Sequence, residues 1–191
     1  MFISSTLRLR ESCFSAIRLP AHRFSTCTTA RISVGEYLPV GINLYEKSPS
    51  HTVDLGKETV SVKKALVIGV PAAFSPACSG THIPQYISSF EKLKAKGIIK
   101  LYILSVNDVF VMNHWKKSMD LGDKLIHFLA DPAGKYTQAL NLGFDATDLL
   151  GGNRSKRYAL IVENGQVQKI FVEPDNTGVD VSRAEAVIKE I

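Results

Sequence analysis

Sulfur is scarce in this chain: 191 residues contain three cysteines, Cys13, Cys27 and Cys78, and the first two fall in a basic N-terminal stretch. Residues 32–191 therefore hold a single thiol. One thiol cannot build the disulfide framework of a small secreted domain, nor a four-cysteine zinc site. The Cys-x-x-Cys pair of an ordinary dithiol-disulfide reductase is missing too, because Ser75-Pro76-Ala77-Cys78 puts serine in the first place. No apolar run approaches the roughly 18 residues of a membrane span. Excess charge is confined to one end. The formal net charge is +5, but residues 1–31 carry Arg8, Arg10, Arg18, Arg23 and Arg31 against the single acid Glu11, leaving 18 basic and 17 acidic residues for the remainder. A nearly neutral body supports neither a nucleic-acid groove nor a membrane partner.

Residues 1–31 have five Arg, no Lys, many Ser and Thr, and Phe2, Ile3, Leu7, Leu9, Phe14, Ile17 and Leu19 spaced loosely as one face of an amphipathic helix. This is the composition of a mitochondrial transit peptide rather than of a secretory signal, which needs an unbroken apolar core of about 7 to 15 residues. A basic tail is the alternative. Removal is expected around Arg23-Phe24-Ser25 or near Arg31, with the matrix as destination; a cut before Cys27 would leave a second thiol on a flexible arm. Residues 32–191 are long enough for one substantial core.

Within that body the apolar runs predict strands at 63–70, 98–106 and 126–130, and a short one over 42–46. Helical spacing predicts helices over 79–96, 108–119, 134–141 and 182–190. Pro84 falls inside the first of these and predicts a kink or a first turn belonging to the site. Two strand-like runs, 157–162 and 166–172, flank Glu163-Asn164-Gly165, a strong hairpin signal. Strands alternating with helices, then a hairpin and a terminal helix, predict an α/β fold with a mixed central sheet flanked by helices, in the thioredoxin-like order.

A lone intracellular cysteine is most often a buried small hydrophobe. Cys78 has a different setting. It follows the apolar run Ala65–Val70 and the loop Pro71-Ala72-Ala73-Phe74-Ser75, and it opens a helix whose unpaired N–H groups favour a thiolate. His82, four residues on, could contact that thiolate or bond the backbone. Pro71 and Pro84 could equally be turn residues, and among Arg154, Lys156 and Arg157 the residues alone do not choose. Trp115 and Phe110 read as core or dimer-interface residues.

Pro71-x-x-x-Ser75-x-x-Cys78 resembles the peroxiredoxin signature, and the string Gly69–Pro84 is similar to the type II, or peroxiredoxin-5-like, class. So are Lys94-Ala95-Lys96-Gly97, Leu104–Asp108, Ala130-Asp131-Pro132, Lys156-Arg157-Tyr158 and Val172-Glu173-Pro174-Asp175. The resemblance runs from about Val34 to the C-terminus. It implies a thioredoxin-like peroxiredoxin domain over 32–191, no cofactor or metal, a homodimer, and reduction of hydrogen peroxide and alkyl hydroperoxides at Cys78. It also implies catalytic roles for Arg157, Ser75 and Pro71. Arginine would stabilise the thiolate and the charge developing on the peroxide oxygens. The Ser75 hydroxyl would accept from the peroxide and donate toward the sulfur, and Pro71 would shield the thiolate; His82, by its spacing from Cys78, would stand behind them.

The chain departs from relatives that resolve their sulfenic acid internally. Their second cysteine lies near the C-terminal Thr-Gly segment or on the strand before Ser-Val-Asn-Asp; here those stretches read Thr177-Gly178-Val179-Asp180-Val181-Ser182 and Tyr102-Ile103-Leu104. The expectation is a one-cysteine peroxidase whose sulfenic acid is resolved by an outside thiol, glutathione with glutaredoxin or thioredoxin. The rival expectation is a redox sensor or relay that passes oxidation from Cys78 to partner proteins.

Overall fold

The computed structural model describes residues 31–122 and 124–191. Residues 1–30 of the expected transit segment, with Cys13 and Cys27, lie outside the described residues. The apolar run Ala65–Val70 forms β3 and is buried at all positions, as an unbroken hydrophobic strand must be when both sheet faces are covered. It pairs in parallel with β4 (Lys100–Ser105), which pairs in parallel with β5 (Ile126–Ala130). On its other side β3 pairs antiparallel with β8 (Tyr158–Glu163), followed by β9 (Gln166–Val172). With β1 (Asn43–Tyr45) and β2 (Thr52–Asp54), the sheet has seven strands in the order β2-β1-β5-β4-β3-β8-β9.

Strand alternation sends Leu66, Ile68 and Val70 to one core and Ala65 and Val67 to the other. The first core packs against α2 (Ile83–Ser88), α3 (Phe90–Ala95), α4 (Val109–Ser118) and α7 (Ala184–Lys189), and includes Cys78. The second is closed by Ile32, Leu38, Leu55 of α1 (Leu55–Val60) and Tyr136 of α5 (Lys135–Ala139).

The expected hairpin is present. Asn164 and Gly165 have φ of 49° and 82°, the pair of positive values that a type I′ turn requires. Five short elements were not expected: β2 with α1, and a two-stranded sheet of β6 (Gly143–Asp145) and β7 (Asn153–Ser155) around α6 (Thr147–Leu150). Elements this short carry too few residues to show a period.

The helix expected over 79–96 is divided. Residues Cys78–His82 form a π turn, α2 follows at Ile83, and Ser89 separates α2 from α3. Pro84 supplies the reason. Inside an α-helix it would lack its N–H and press its ring on the carbonyl four residues back. Instead the Ile83 N–H reaches five residues back to the Cys78 carbonyl, and Pro84 sits in the first turn of α2.

Just after β1, Glu46 is 4% exposed. It accepts from Lys116 Nζ of α4 at 3.1 Å and meets His127 Nδ1 of β5 at 3.2 Å, tying the helix to the sheet. Burial opposes ionisation of its carboxyl, but these bonds and charges prevail and lower it from 4.5 to about 2. The stabilisation is therefore complete above about pH 4.5 and is lost as pH falls toward 2. Glu46→Gln should lower stability at pH 7 by about 2 kcal/mol. Denaturant unfolding should show the gap from the native chain closing between pH 4.5 and 2.

Candidate active site

Loop 71–77 leaves the carboxyl end of β3 and delivers Cys78 to the first position of the π turn. The thiol has no exposed surface. Arg157, the residue before β8, comes to it from across the sheet and is itself 1% exposed. Its Nη1 lies 3.2 Å from Cys78 Sγ and 3.3 Å from His82 Nδ1, while its Nε donates to Thr177 O at 2.9 Å. The main chain is pinned as well: Arg157 N donates to Asn176 O at 2.7 Å, and Glu173 N donates to Arg157 O at 3.0 Å. A buried guanidinium needs such partners to offset the loss of water.

The three basic neighbours thus separate. Arg154 spends both terminal nitrogens on Val106 O and Leu150 O, at 2.6 and 2.7 Å, and Lys156 is half-buried. Among these three, Arg157 bonds the sulfur.

His82 is wholly buried and edge-on to Tyr86, with ring centroids 5.4 Å apart. Burial, and next the Arg157 charge, lower its imidazole from 6.5 to about 4; the Ser182 bond and the Glu173 charge act the other way. The ring is neutral at pH 7.

Pro71 is buried at the end of β3. Ser75 is half-buried, and its Oγ donates to Ala72 O at 3.1 Å. In this state the hydroxyl proton is committed within the loop and not to the sulfur, which leaves oxygen lone pairs to accept. The loop is held from β4: Asn107 Oδ1 accepts from Ala73 N at 3.1 Å and from Ser105 Oγ at 2.8 Å. Phe74 adopts φ of 60° and is 47% exposed, a left-handed conformation costly for a bulky side chain. Its ring lies 6.0 Å from His114 and 6.3 Å from Trp115. Trp115 is in the core, where its Nε1 donates to Ser79 Oγ at 2.9 Å, whereas Phe110 is 67% exposed.

Sequence reasoning assigned no role to Asn107, Thr177, Ser182 or Glu173. Glu173 is buried, and its Oε1 accepts from Asp180 N, Ser182 N and Ser182 Oγ at 2.8, 2.8 and 2.7 Å. Burial opposes its ionisation, yet these donors lower its carboxyl below the usual 4.5. The segment after β9 is thereby folded back over Arg157 and His82. The Val172-Glu173-Pro174-Asp175 block was visible as a likeness only.

A separate cleft of about 560 Å³, lined by Val106, Thr137, Phe144 and Arg154 among others, includes none of Cys78, Ser75, His82 or Arg157. Among the described residues no group of three or more His, Cys, Asp or Glu could hold a metal.

The Redoxin family signature matches residues 33–188. Peroxiredoxin-2D of Arabidopsis thaliana is 38% identical over 164 residues, covering 85% of this chain and 99% of that protein. This chain belongs to the peroxiredoxin family. Peroxisomal membrane associated protein 20 of Schizosaccharomyces pombe is 45% identical over 161 residues, covering 84% of the peroxiredoxin described here and 99% of the yeast protein. The crystal structure of reduced Prx3 from Vibrio vulnificus in complex with hydrogen peroxide superposes with a TM-score of 0.74 at 36% identity, covering 83% of this chain and 98% of that one. The thioredoxin-like fold is thus shared, and as a peroxiredoxin the chain is a thiol-dependent peroxidase, an oxidoreductase.

Substituting Asn107→Ala in this peroxiredoxin would strip the Ala73 N–H and the Ser105 hydroxyl of a common acceptor. Stability should fall by about 1–2 kcal/mol, measured by denaturant unfolding.

Proposed function

We propose that Cys78 is the peroxide-reacting thiol of a one-cysteine peroxidase whose reducing equivalents come from an outside thiol. The observation that carries this reading is the 3.2 Å approach of Arg157 Nη1 to Cys78 Sγ with both groups buried. A fixed cation favours the anionic sulfur, and the thiolate is the nucleophile. The thiolate attacks one peroxide oxygen. The S–O bond forms as the O–O bond breaks, sulfur gives up two electrons, and the leaving oxygen takes a proton to become water or an alcohol. Arg157 offsets the charge developing on the oxygens, the Ser75 lone pairs accept from the peroxide O–H, and Pro71 closes the loop.

Cys78 is the free cysteine among the described residues, and in this reading its sulfenic acid waits for another molecule. An external thiol, glutathione with glutaredoxin or thioredoxin, condenses with it to a mixed disulfide and water, and a second thiol releases Cys78 by exchange. Because Cys78 has no exposed surface, in this reading the segments around it must shift before peroxide or a reducing thiol reaches the sulfur.

The protein works as a homodimer in this reading. The family likeness supports it, as do Phe74 and Phe110, exposed on adjoining segments around His114. The mitochondrial matrix is its destination, supported by the Arg-rich composition of residues 1–31. The yeast relative's name places that protein at the peroxisome. A fluorescent protein carrying residues 1–31 should enter mitochondria; peroxisomal or diffuse signal would refute the assignment.

Peroxide consumption with each reductant separately tests the chemistry. Cys78→Ser should abolish turnover, and unchanged activity would sink the proposal. Arg157→Lys keeps a charge but loses the planar fork that reaches sulfur, His82 and Thr177 at once. Its kcat/KM should fall about a hundredfold. After peroxide and no reductant, intact mass should rise by one oxygen. A loss of two hydrogens would instead mean an internal disulfide.

A further inference from the structure

Arg157 Nη1 carries two hydrogens and has two neighbours, Cys78 Sγ at 3.2 Å and His82 Nδ1 at 3.3 Å. An imidazole nitrogen accepts only if it bears no hydrogen. The other ring nitrogen shows where the hydrogen is. His82 Nε2 lies 3.0 Å from Ser182 O, which can only accept. It lies 3.4 Å from Ser182 Oγ, whose own proton goes to Glu173 Oε1 at 2.7 Å. Both partners face Nε2 as acceptors, so the partners assign the hydrogen to Nε2 and leave Nδ1 bare.

We propose that His82 is a positioning residue for peroxide reduction: its bare Nδ1 takes one Nη1 hydrogen of Arg157, which turns the other toward Cys78, and the C-terminal segment fixes the ring. Remove that acceptor and Arg157 keeps its Nε bond to Thr177 O, but the direction of Nη1 is no longer set. The arrangement is continuous from Glu173 through Ser182 and His82 to Arg157 and Cys78. Tyr86 of α2 strengthens it by donating to the same Ser182 O at 2.6 Å. The charged and titratable groups facing the ring are Arg157, Tyr86 and Glu173. A second proton on the ring would set an N–H against the guanidinium, and the ring stays free of it above about pH 4. The inference deepens the reading of Cys78 as the peroxide-reacting thiol and rests on it.

The test compares His82→Gln and His82→Met in the full chain. Both fill the space, but only glutamine offers an oxygen that can accept from Arg157. Two readouts are taken: the pH profile of Cys78 alkylation by iodoacetamide, and the rate constant for hydrogen peroxide. His82→Met should shift the alkylation profile to higher pH and slow peroxide reduction about tenfold or more. His82→Gln should keep most of both. Glu173→Gln, which weakens the hold on Ser182, should move both readouts the same way by less. Far-UV circular dichroism and cooperative unfolding confirm that each variant is folded. A folded His82→Met with native profile and rate overturns the proposal, as does a folded His82→Gln as impaired as His82→Met. No change in Glu173→Gln overturns the part given to the C-terminal segment. Should the native chain alkylate normally but consume no peroxide, the peroxidase reading fails, and the alkylation profiles still decide the role of His82.

Discussion

A guanidinium sealed from water sets the terms for the rest of this molecule. Arg157 cannot shed its proton to relieve the cost of burial, so the chain must surround it with acceptors and a counter-charge. Two acceptors come from distant segments: Thr177 O from the stretch after β9, and His82 Nδ1 from the π turn. Cys78 Sγ is the third partner, and in the proposed reading it also supplies the counter-charge. In that reading, the demand that makes the arginine tolerable in the core and the demand that makes the sulfur nucleophilic are met by one contact. Glu173 contributes from further out, ordering the backbone that supplies the carbonyls.

Much of this was legible in the sequence where the signal is carried by side-chain pattern. The runs at 65–70 and 100–105 could only be central strands, and Asn164-Gly165 could hardly be anything but a tight hairpin. Cys78 stood out by its place after a buried strand. Arg157 did not stand out from Arg154 and Lys156 on residues alone, because what distinguishes them is which backbone carbonyls and which sulfur they reach after folding. Thr177 acts through its carbonyl oxygen, which any residue possesses, so its part leaves no mark on residue type; Ser182 adds a hydroxyl whose partner Glu173 lies nine residues away. Glu173 is a buried acid whose partners are N–H groups seven and nine residues ahead, a pairing that no periodicity announces.

The π turn shows how one sequence feature serves both fold and site. Pro84 forbids a regular helix at this place, and the chain answers by widening one turn. Cys78 opens that turn and His82 closes it, so both ends of the widened loop converge on Arg157. A change in the winding of this turn would alter the reach of Cys78 and of His82 to Arg157 together.

The chain has a single tryptophan, and the fold spends it beside that turn. Trp115 lies edge-on to Phe128 at 5.1 Å in the core, and its indole N–H is bonded to the hydroxyl of Ser79, the residue next to the reactive sulfur. Indole emission depends on the polarity around the ring and on the partner of its N–H. All of the protein's tryptophan fluorescence thus originates at an indole bonded to the neighbour of Cys78, and the intrinsic light of the unlabelled molecule depends on the surroundings of that turn.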